Sequence, residues 1–121
     1  MPPHILIVDD EATIREVLYE ALVCAGYRVT PVASVEEALR TVAADTPGLV
    51  ITDLQLEESD GFELADQIKA VAPGLPILLL TGVLFDDQAL QATTGNKIAA
   101  IIEKTAPLSR IVEEVKRLLA L

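Results

Sequence analysis

The chain has 121 residues, of which 51% are hydrophobic and 23% charged, and this composition excludes a disordered chain and predicts one domain over residues 1–121. No apolar run approaches the roughly 20 residues that a membrane-spanning helix needs, and the start of the chain lacks the apolar region of a secretory signal, so a cytoplasmic location is expected. The 19 acidic and 9 basic residues give a formal net charge of −10, which disfavours binding to nucleic acid or to anionic membranes.

The first strand and the first helix are predicted from two different hydrophobic patterns. Residues 4–8 (HILIV) form a continuous apolar run, which is typical of a strand covered on both faces. Apolar residues then recur at helical spacing up to Gly26, which favours the end of a helix. These residues are Ile14, Val17, Leu18, Ala21, Leu22 and Ala25. Cys24 lies on this helix and is interpreted as a small core residue.

The next segments predict an edge strand, a capped helix and a buried strand. Residues 27–32 (YRVTPV) alternate in polarity and contain Pro31, which cannot donate a ladder hydrogen bond and is therefore expected at a sheet edge. Ser34 is a suitable N-cap for the second helix, and Glu37 completes a capping box. Residues 48–52 (GLVIT) predict a third strand that is buried on both faces.

The second half of the chain continues the alternation. A third helix is predicted over residues 62–72, a fourth strand over 76–81 and a fifth strand over 98–102. The fourth helix, near residues 86–92, is only weakly patterned. The last helix has one apolar face, formed by Leu108, Ile111, Val112, Val115, Leu118 and Leu119.

The alternation of strands with helices predicts an α/β fold. Right-handed crossovers would place helices on both faces of a parallel five-stranded sheet, which gives a doubly wound three-layer sandwich. The hydrophobic pattern by itself does not fix the order of the strands.

Polar residues at the strand ends predict a functional site. Asp9 and Asp10 follow the first strand, Asp53 ends the third, Thr81 ends the fourth, and Lys104 lies just beyond the fifth. The carboxyl ends of parallel strands share one edge of the sheet, and ligands bind there at the point where the strand order reverses. We therefore expect these five side chains to converge.

The three aspartates indicate a divalent cation. Closely packed carboxylates repel one another, and oxygen ligands without cysteine or histidine favour Mg²⁺, with Mn²⁺ as a substitute. A cation beside Asp53 would help this carboxylate to attack a phosphoryl group, whose oxygens Thr81 and Lys104 could then receive. Each residue alone also has a plain structural interpretation, since acids favour helix N-termini, Thr81 precedes a turn glycine and Lys104 could be a surface lysine. His4 is assigned no functional role.

Together these motifs resemble the receiver domain of bacterial two-component response regulators. The matching residues are Val8-Asp9-Asp10-Glu11, Asp53 with Asp60-Gly61, Thr81-Gly82 and Lys104. The resemblance implies a flavodoxin-like sheet of strand order 2-1-3-4-5 with five helices. It also implies that Asp53 accepts a phosphoryl group from a phosphohistidine on a sensor histidine kinase or a histidine phosphotransfer protein.

The resemblance further implies a role for each site residue. Asp10 would bind Mg²⁺ directly and Asp9 through water, while Asp53 and the backbone carbonyl of Gln55 would complete the protein ligands. Thr81 and Lys104 would contact the new phosphoryl group and shift the surface formed by the fourth helix, the fifth strand and the last helix toward an output partner. Such a chain would not be a conventional enzyme, because it would catalyse only its own phosphotransfer and dephosphorylation.

The sequence departs from the family pattern at three positions. Ile101 occupies the place of an aromatic switch residue, Thr105 follows Lys104 where proline is usual, and Glu57 also stands at a common proline position. These departures motivate an alternative, a pseudo-receiver that acts as an interaction module without phosphorylation. A third hypothesis is a small α/β hydrolase or flavin-binding protein, which the 3% aromatic content disfavours in the flavin case. The domain could stand alone or belong to a larger regulator or hybrid kinase.

Overall fold

A parallel sheet of five strands forms the centre of the computed structural model, which describes residues 3–54, 56, 61–82 and 98–120. The strands are β1 (His4–Val8), β2 (Arg28–Val32), β3 (Leu49–Asp53), β4 (Ile77–Thr81) and β5 (Ala100–Glu103). Their order across the sheet is β2-β1-β3-β4-β5. This order confirms the one that the family resemblance implied, and β2, which contains Pro31, is an edge strand as predicted.

Helices cover both faces of the sheet. Within the described residues they are α1 (Ala12–Cys24), α2 (Val35–Ala44), α3 (Gly61–Val71) and α4 (Leu108–Leu119). The helix predicted near residues 86–92 lies outside the described residues. None of the described helices has the length and apolar character that crossing a membrane requires.

Two hydrophobic clusters fill the spaces between the sheet and the helices. On one face, Ala38 and Val42 of α2 and Leu64 and Ile68 of α3 pack against the sheet. On the other face, side chains of α1 and α4 do the same, namely Leu18, Leu22, Ile111, Val115 and Leu118. All residues of β1, β3 and β4 are buried, because each of these strands is covered on both sides. The predicted three-layer sandwich is therefore confirmed.

The structure confirms two predicted helix ends, the start of α2 at Ser34 and the end of α1 at Gly26. The Ser34 hydroxyl accepts a hydrogen bond from the backbone N–H of Glu37 at 3.2 Å, which is the predicted N-cap of α2. Gly26, just beyond α1, has a φ of +100°, a conformation that glycine adopts without steric cost.

The interpretation of Cys24 as a core residue is wrong. Cys24 is exposed at the end of α1, and Val17, which was expected on the apolar face of this helix, is 41% exposed. The buried face of α1 is carried by Leu18 and Leu22, because only this side of the helix lies against the sheet. Apolar residues on the other sides of α1 remain in contact with solvent.

The strand order reverses beside β1. The chain moves from β1 outward to β2 and then crosses to β3 on the other side of β1. Loops leaving the carboxyl ends of β1 and β3 therefore diverge to opposite faces and leave a crevice between them, which is the general ligand position in such sheets.

Candidate functional site

Four acidic residues gather at the crevice between the carboxyl ends of β1 and β3. Asp9, Asp10, Glu11 and Asp53, here called the acidic cluster, each offer one carboxylate oxygen, and these oxygens all lie within 4.8 Å of one another. Val8 pairs with Thr52 in the β1–β3 register, so the residues that follow them, Asp9 and Asp53, come side by side. The predicted convergence of the three aspartates is thus present.

Asp9 is the least exposed acidic residue in the described part of the chain. Only 1% of its surface is exposed, and its Oδ1 accepts a hydrogen bond from the backbone N–H of Glu11 at 2.9 Å. Its Oδ2 is buried without a hydrogen bond among the described residues. Burial raises the pKa of Asp9, and the Glu11 N–H and the charge of Lys104 oppose this rise. A buried carboxylate oxygen in this state favours a cation nearby.

Lys104 supplies the positive charge that faces the acidic cluster. Its Nζ lies 2.7 Å from Oδ2 of Asp53, 3.4 Å from Oδ2 of Asp9 and 3.5 Å from Oε1 of Glu11. Burial alone would lower the pKa of Lys104, but the hydrogen bond to Asp53 and the charges of Asp9, Asp53 and Glu11 outweigh it and raise the pKa. Lys104 is therefore held as an ammonium ion inside the site.

The backbone of Lys104 is attached to the end of β4. Its N–H donates to the Thr81 carbonyl at 2.7 Å, and Thr81, the last residue of β4, is 1% exposed. This bond continues the β4–β5 ladder by one residue beyond the Thr81–Glu103 pair, so Thr81 and Lys104 occupy the same edge as the acids. The departure at Thr105 leaves this arrangement intact, because the Lys104 side chain still reaches Asp53.

Ile101 lies on β5 opposite Leu79 of β4. It is partly buried and packs against the hydrophobic cluster beneath α2 and α3. An aliphatic side chain that contributes to the core has no aromatic ring to rotate between inward and outward positions. The position at which the family pattern has an aromatic switch residue therefore contributes to packing in this chain.

Gly61, the first residue of α3, permits the close approach of α3 to Asp53. A Cβ atom at Gly61 would lie 2.6 Å from the Asp53 carbonyl oxygen and 2.7 Å from Cδ1 of Leu79, distances at which atoms overlap. The Gly61 N–H also donates to the Leu54 carbonyl at 2.7 Å. In the sequence Gly61 was only part of a motif, and its contact with β4 could not be read from local pattern.

Glu11 belongs to the site although sequence reasoning gave it no separate role. It is the N-cap of α1, yet its side chain makes no capping hydrogen bond and instead extends toward Lys104. An acidic residue immediately after the Asp9-Asp10 pair was the available signal. The predicted backbone ligand Gln55, and the motif residues Asp60 and Glu57, lie outside the described residues.

The acidic cluster matches the chemistry of a Mg²⁺ site. Its donors are hard carboxylate oxygens, which Mg²⁺ prefers to the nitrogen and sulfur ligands of zinc. The buried Oδ2 of Asp9 makes no hydrogen bond among the described residues, and its described ion-pair partner, the Lys104 ammonium, lies 3.4 Å away, so this oxygen keeps the capacity to accept a further bond from a metal ion or its waters. Asp10 and Glu11 lie on the exposed side of the cluster, which would leave room for the waters that Mg²⁺ usually retains.

Comparisons with known proteins agree on one family. The model of the response regulator receiver domain matches residues 5–116. The C4-dicarboxylate transport transcriptional regulatory protein DctD of Rhizobium meliloti is 33% identical over 115 residues, which cover 95% of this chain and 25% of that protein.

Solved structures with 30% or more sequence identity share the fold. NtrX from Brucella abortus superposes with a TM-score of 0.89 at 30% identity, covering 99% of this chain and 27% of that one. The signal receiver domain of a signal transduction histidine kinase from Syntrophus aciditrophicus superposes with a TM-score of 0.85 at 31% identity, covering 98% of this chain and 90% of that domain. The chain thus spans about a quarter of the length of DctD and of NtrX.

Proposed function

We propose that this chain, which belongs to the response regulator receiver domain family, accepts a phosphoryl group on Asp53 as part of a two-component phosphorelay. The observation that carries the proposal is the placement of the Asp53 carboxylate. It ends β3, is 6% exposed, and has the Lys104 ammonium at 2.7 Å and the other acids of the cluster within 4.8 Å.

The reaction follows from the position of this carboxylate. A carboxylate oxygen of Asp53 attacks the phosphorus of a phosphohistidine, the phosphorus–nitrogen bond breaks, and the bonding electrons leave with the imidazole, which takes up a proton. The product is an acyl phosphate on Asp53. Mg²⁺, held by Asp9, Asp10 and Asp53 with the Gln55 carbonyl implied by the resemblance, would supply neutralisation of the phosphoryl charge.

Lys104 has two roles in this proposal. Before transfer its ammonium balances the carboxylates of Asp53 and Asp9. After transfer the same ammonium is within reach of the phosphoryl oxygens, because Asp53 Oδ2 and Nζ are already in contact. Thr81 would provide a hydroxyl from the end of β4. Water hydrolysis of the acyl phosphate would return the domain to its resting state.

The output would be a change of surface at β5 and α4. Lys104 lies directly between these elements, and its backbone is bonded to β4, so a new charge on Asp53 acts on the segment that joins them. With Ile101 packed in the core, the change would proceed through Lys104 and Thr81 rather than through ring rotation. The donor would be a cytoplasmic histidine kinase or phosphotransfer protein, and the output an attached domain or a separate partner.

The alternatives receive no specific support. A pseudo-receiver would be favoured by a disrupted acid–lysine constellation, but Asp9, Asp53 and Lys104 are in contact. A hydrolase for external substrates is not the type of protein that the family match indicates.

The test is phosphorylation by acetyl phosphate with Mg²⁺, followed by intact mass spectrometry. Wild-type protein should gain the mass of one phosphoryl group, and Asp53→Asn should gain none while keeping its circular dichroism spectrum. Asp45→Asn is the matched control, because Asp45 is an exposed aspartate whose described partners are Arg28 and His4. Full labelling of Asp53→Asn, or no labelling of the wild type, would refute the proposal.

A further inference from the structure

We infer that Arg15 is a positioning residue for the Mg²⁺ site, because it fixes the peptide that joins Asp9 to Asp10. The inference rests on the proposed function in that it assumes the acidic cluster is the Mg²⁺ site. It assigns a role to a side chain that belongs neither to the cluster nor to the motif residues, and that reaches the site from the first turn of α1.

The contact itself is short and shielded. The Nη1 of Arg15 donates a hydrogen bond to the Asp9 carbonyl oxygen at 2.7 Å, and the pair is partly buried. On the other side of the residue, the Asp9 N–H donates to the Val32 carbonyl at 3.2 Å, and its Oδ1 accepts from Glu11. Three hydrogen bonds thus tie the backbone and side chain of Asp9 to two elements, to β2 through Val32 and to the N-terminal end of α1 through Glu11 and Arg15.

The Asp9 carbonyl lies beyond the end of the sheet ladder. Val8 is the last residue of β1 that pairs with β2, through Val32, and with β3, through Thr52, so the Asp9 carbonyl lies past the last pair of either register. Its carbon is bonded to the nitrogen of Asp10, and rotation of this peptide would swing the Asp10 carboxylate relative to Asp53. A donor that fixes the carbonyl therefore fixes the direction in which Asp10 leaves the strand.

Arg15 orients the site and does not serve primarily to neutralise it. The described hydrogen bond of its guanidinium goes to a backbone carbonyl, whereas Lys104 is the cation in contact with the carboxylates. Groups that orient metal ligands in this way typically alter metal affinity by about 10- to 100-fold when removed.

The direction of the change separates orientation from charge. A cation near a Mg²⁺ site repels the metal, so loss of Arg15 would tighten Mg²⁺ binding if charge were its whole effect. Loss of an orienting hydrogen bond would instead weaken binding. The two explanations predict opposite signs for the same substitution.

The experiment is calorimetric titration of Mg²⁺ into the intact chain, without any phosphoryl donor. Arg15→Met should weaken Mg²⁺ binding by about 10-fold. Arg15→Lys, which keeps the charge and one possible donor, should show a smaller loss. Arg110→Met is the control, since Arg110 is an exposed arginine in the first turn of α4, and it should bind Mg²⁺ like the wild type.

A second readout distinguishes a positioning role from general damage. With acetyl phosphate as donor, Arg15→Met should need more Mg²⁺ for half-maximal phosphorylation yet reach the wild-type rate at saturating Mg²⁺. Urea unfolding of each variant shows whether it is folded. If Arg15→Met does not fold, Mg²⁺ binding by Arg15→Lys tests the inference in its place. Unchanged or tighter Mg²⁺ binding in the folded variants would overturn the inference.

The failure of this inference can be told apart from failure of the proposed function. If the wild type binds Mg²⁺ but is never phosphorylated, the proposed function fails while the titration still decides the role of Arg15. If the wild type is phosphorylated and Arg15→Met binds Mg²⁺ normally, only the role of Arg15 is refuted. Absence of Mg²⁺ binding by the wild type would refute both.

Discussion

Replacement of Lys104 by methionine removes the ammonium from a site that contains several carboxylates. Methionine keeps the length and the apolar stem of the side chain, so the change is mainly one of charge. In the described part of the chain, Lys104 is the cation within ion-pair distance of Asp9, Glu11 and Asp53. We expect the variant without Mg²⁺ to be markedly less stable than the wild type.

The magnitude follows from two of these contacts. At an effective dielectric constant of about 20, the 2.7 Å contact with Asp53 represents about 6 kcal/mol of gross attraction and the 3.4 Å contact with Asp9 about 5 kcal/mol. Desolvation of the charges offsets most of this, and breaking a buried pair typically costs about 3–5 kcal/mol. The Lys104 side chain is 16% exposed, so we expect the lower value, about 3 kcal/mol.

The assay is urea unfolding followed by circular dichroism, with and without Mg²⁺. Mg²⁺ at about 100 times its dissociation constant stabilises a folded protein by about 2.7 kcal/mol. At one fixed Mg²⁺ concentration, the ion should stabilise Lys104→Met by more than the wild type. The variant lacks the competing ammonium and should therefore bind Mg²⁺ more tightly. Lys116→Met, at an exposed position of α4, is the control. Equal stability of wild type and Lys104→Met without Mg²⁺, or greater Mg²⁺ stabilisation of the wild type, would show that the charge argument is wrong.

Three further predictions concern the scaffold around the site. Gly61→Ala should lower the free energy of unfolding by about 1–3 kcal/mol, because its methyl would overlap the Asp53 carbonyl oxygen; Gly74→Ala, with open space around it, should not, and equal effects in urea unfolding would contradict the steric explanation. Burial, followed by the charge of a neighbouring arginine, lowers the pKa of His4 below its ordinary value of 6.5. Its stabilising contribution is therefore complete above that value and is lost as the pH falls through the lower folded pKa. Unfolding measured between about pH 7 and pH 5 should show a smaller loss for His4→Gln than for the wild type, and parallel curves would speak against this role. Ser34→Ala should cost about 1 kcal/mol in the same assay through loss of the N-cap, and no cost would mean that water replaces it fully.

The strands and the edge that carries the site could be predicted because the relevant signals are local. A buried strand is predicted by the apolar run before Asp9 and by the run that ends at Asp53. Parallel topology then brings the carboxyl ends of the two strands together. β5 begins at Ala100, two residues later than predicted, because pairing with β4 starts at the Leu78–Ala100 position. Register depends on the neighbouring strand, which local pattern does not contain.

The errors and omissions share a physical cause, since each depends on which surfaces meet in space. Cys24 was assigned to the core from its helix and residue type, but the sheet covers only the side of α1 that carries Leu18 and Leu22. The need for glycine at position 61 arises from Leu79 and the Asp53 carbonyl. The role inferred for Arg15 depends on a carbonyl six residues earlier, which no side-chain pattern reveals.

Lys104 and Arg15 together allow a test of whether charge and ligand orientation at the site depend on different residues. Lys104 contacts carboxylate oxygens and Arg15 contacts a backbone carbonyl, although both carry one positive charge near the proposed Mg²⁺ site. If charge governs the first and orientation the second, Lys104→Met should tighten Mg²⁺ binding and Arg15→Met should weaken it. Because the residues act through different parts of Asp9, the double variant should show partial cancellation of the two effects. Changes of the same sign in both single variants would mean that the two cations act on the metal in one way, and the separation of roles would then be incorrect.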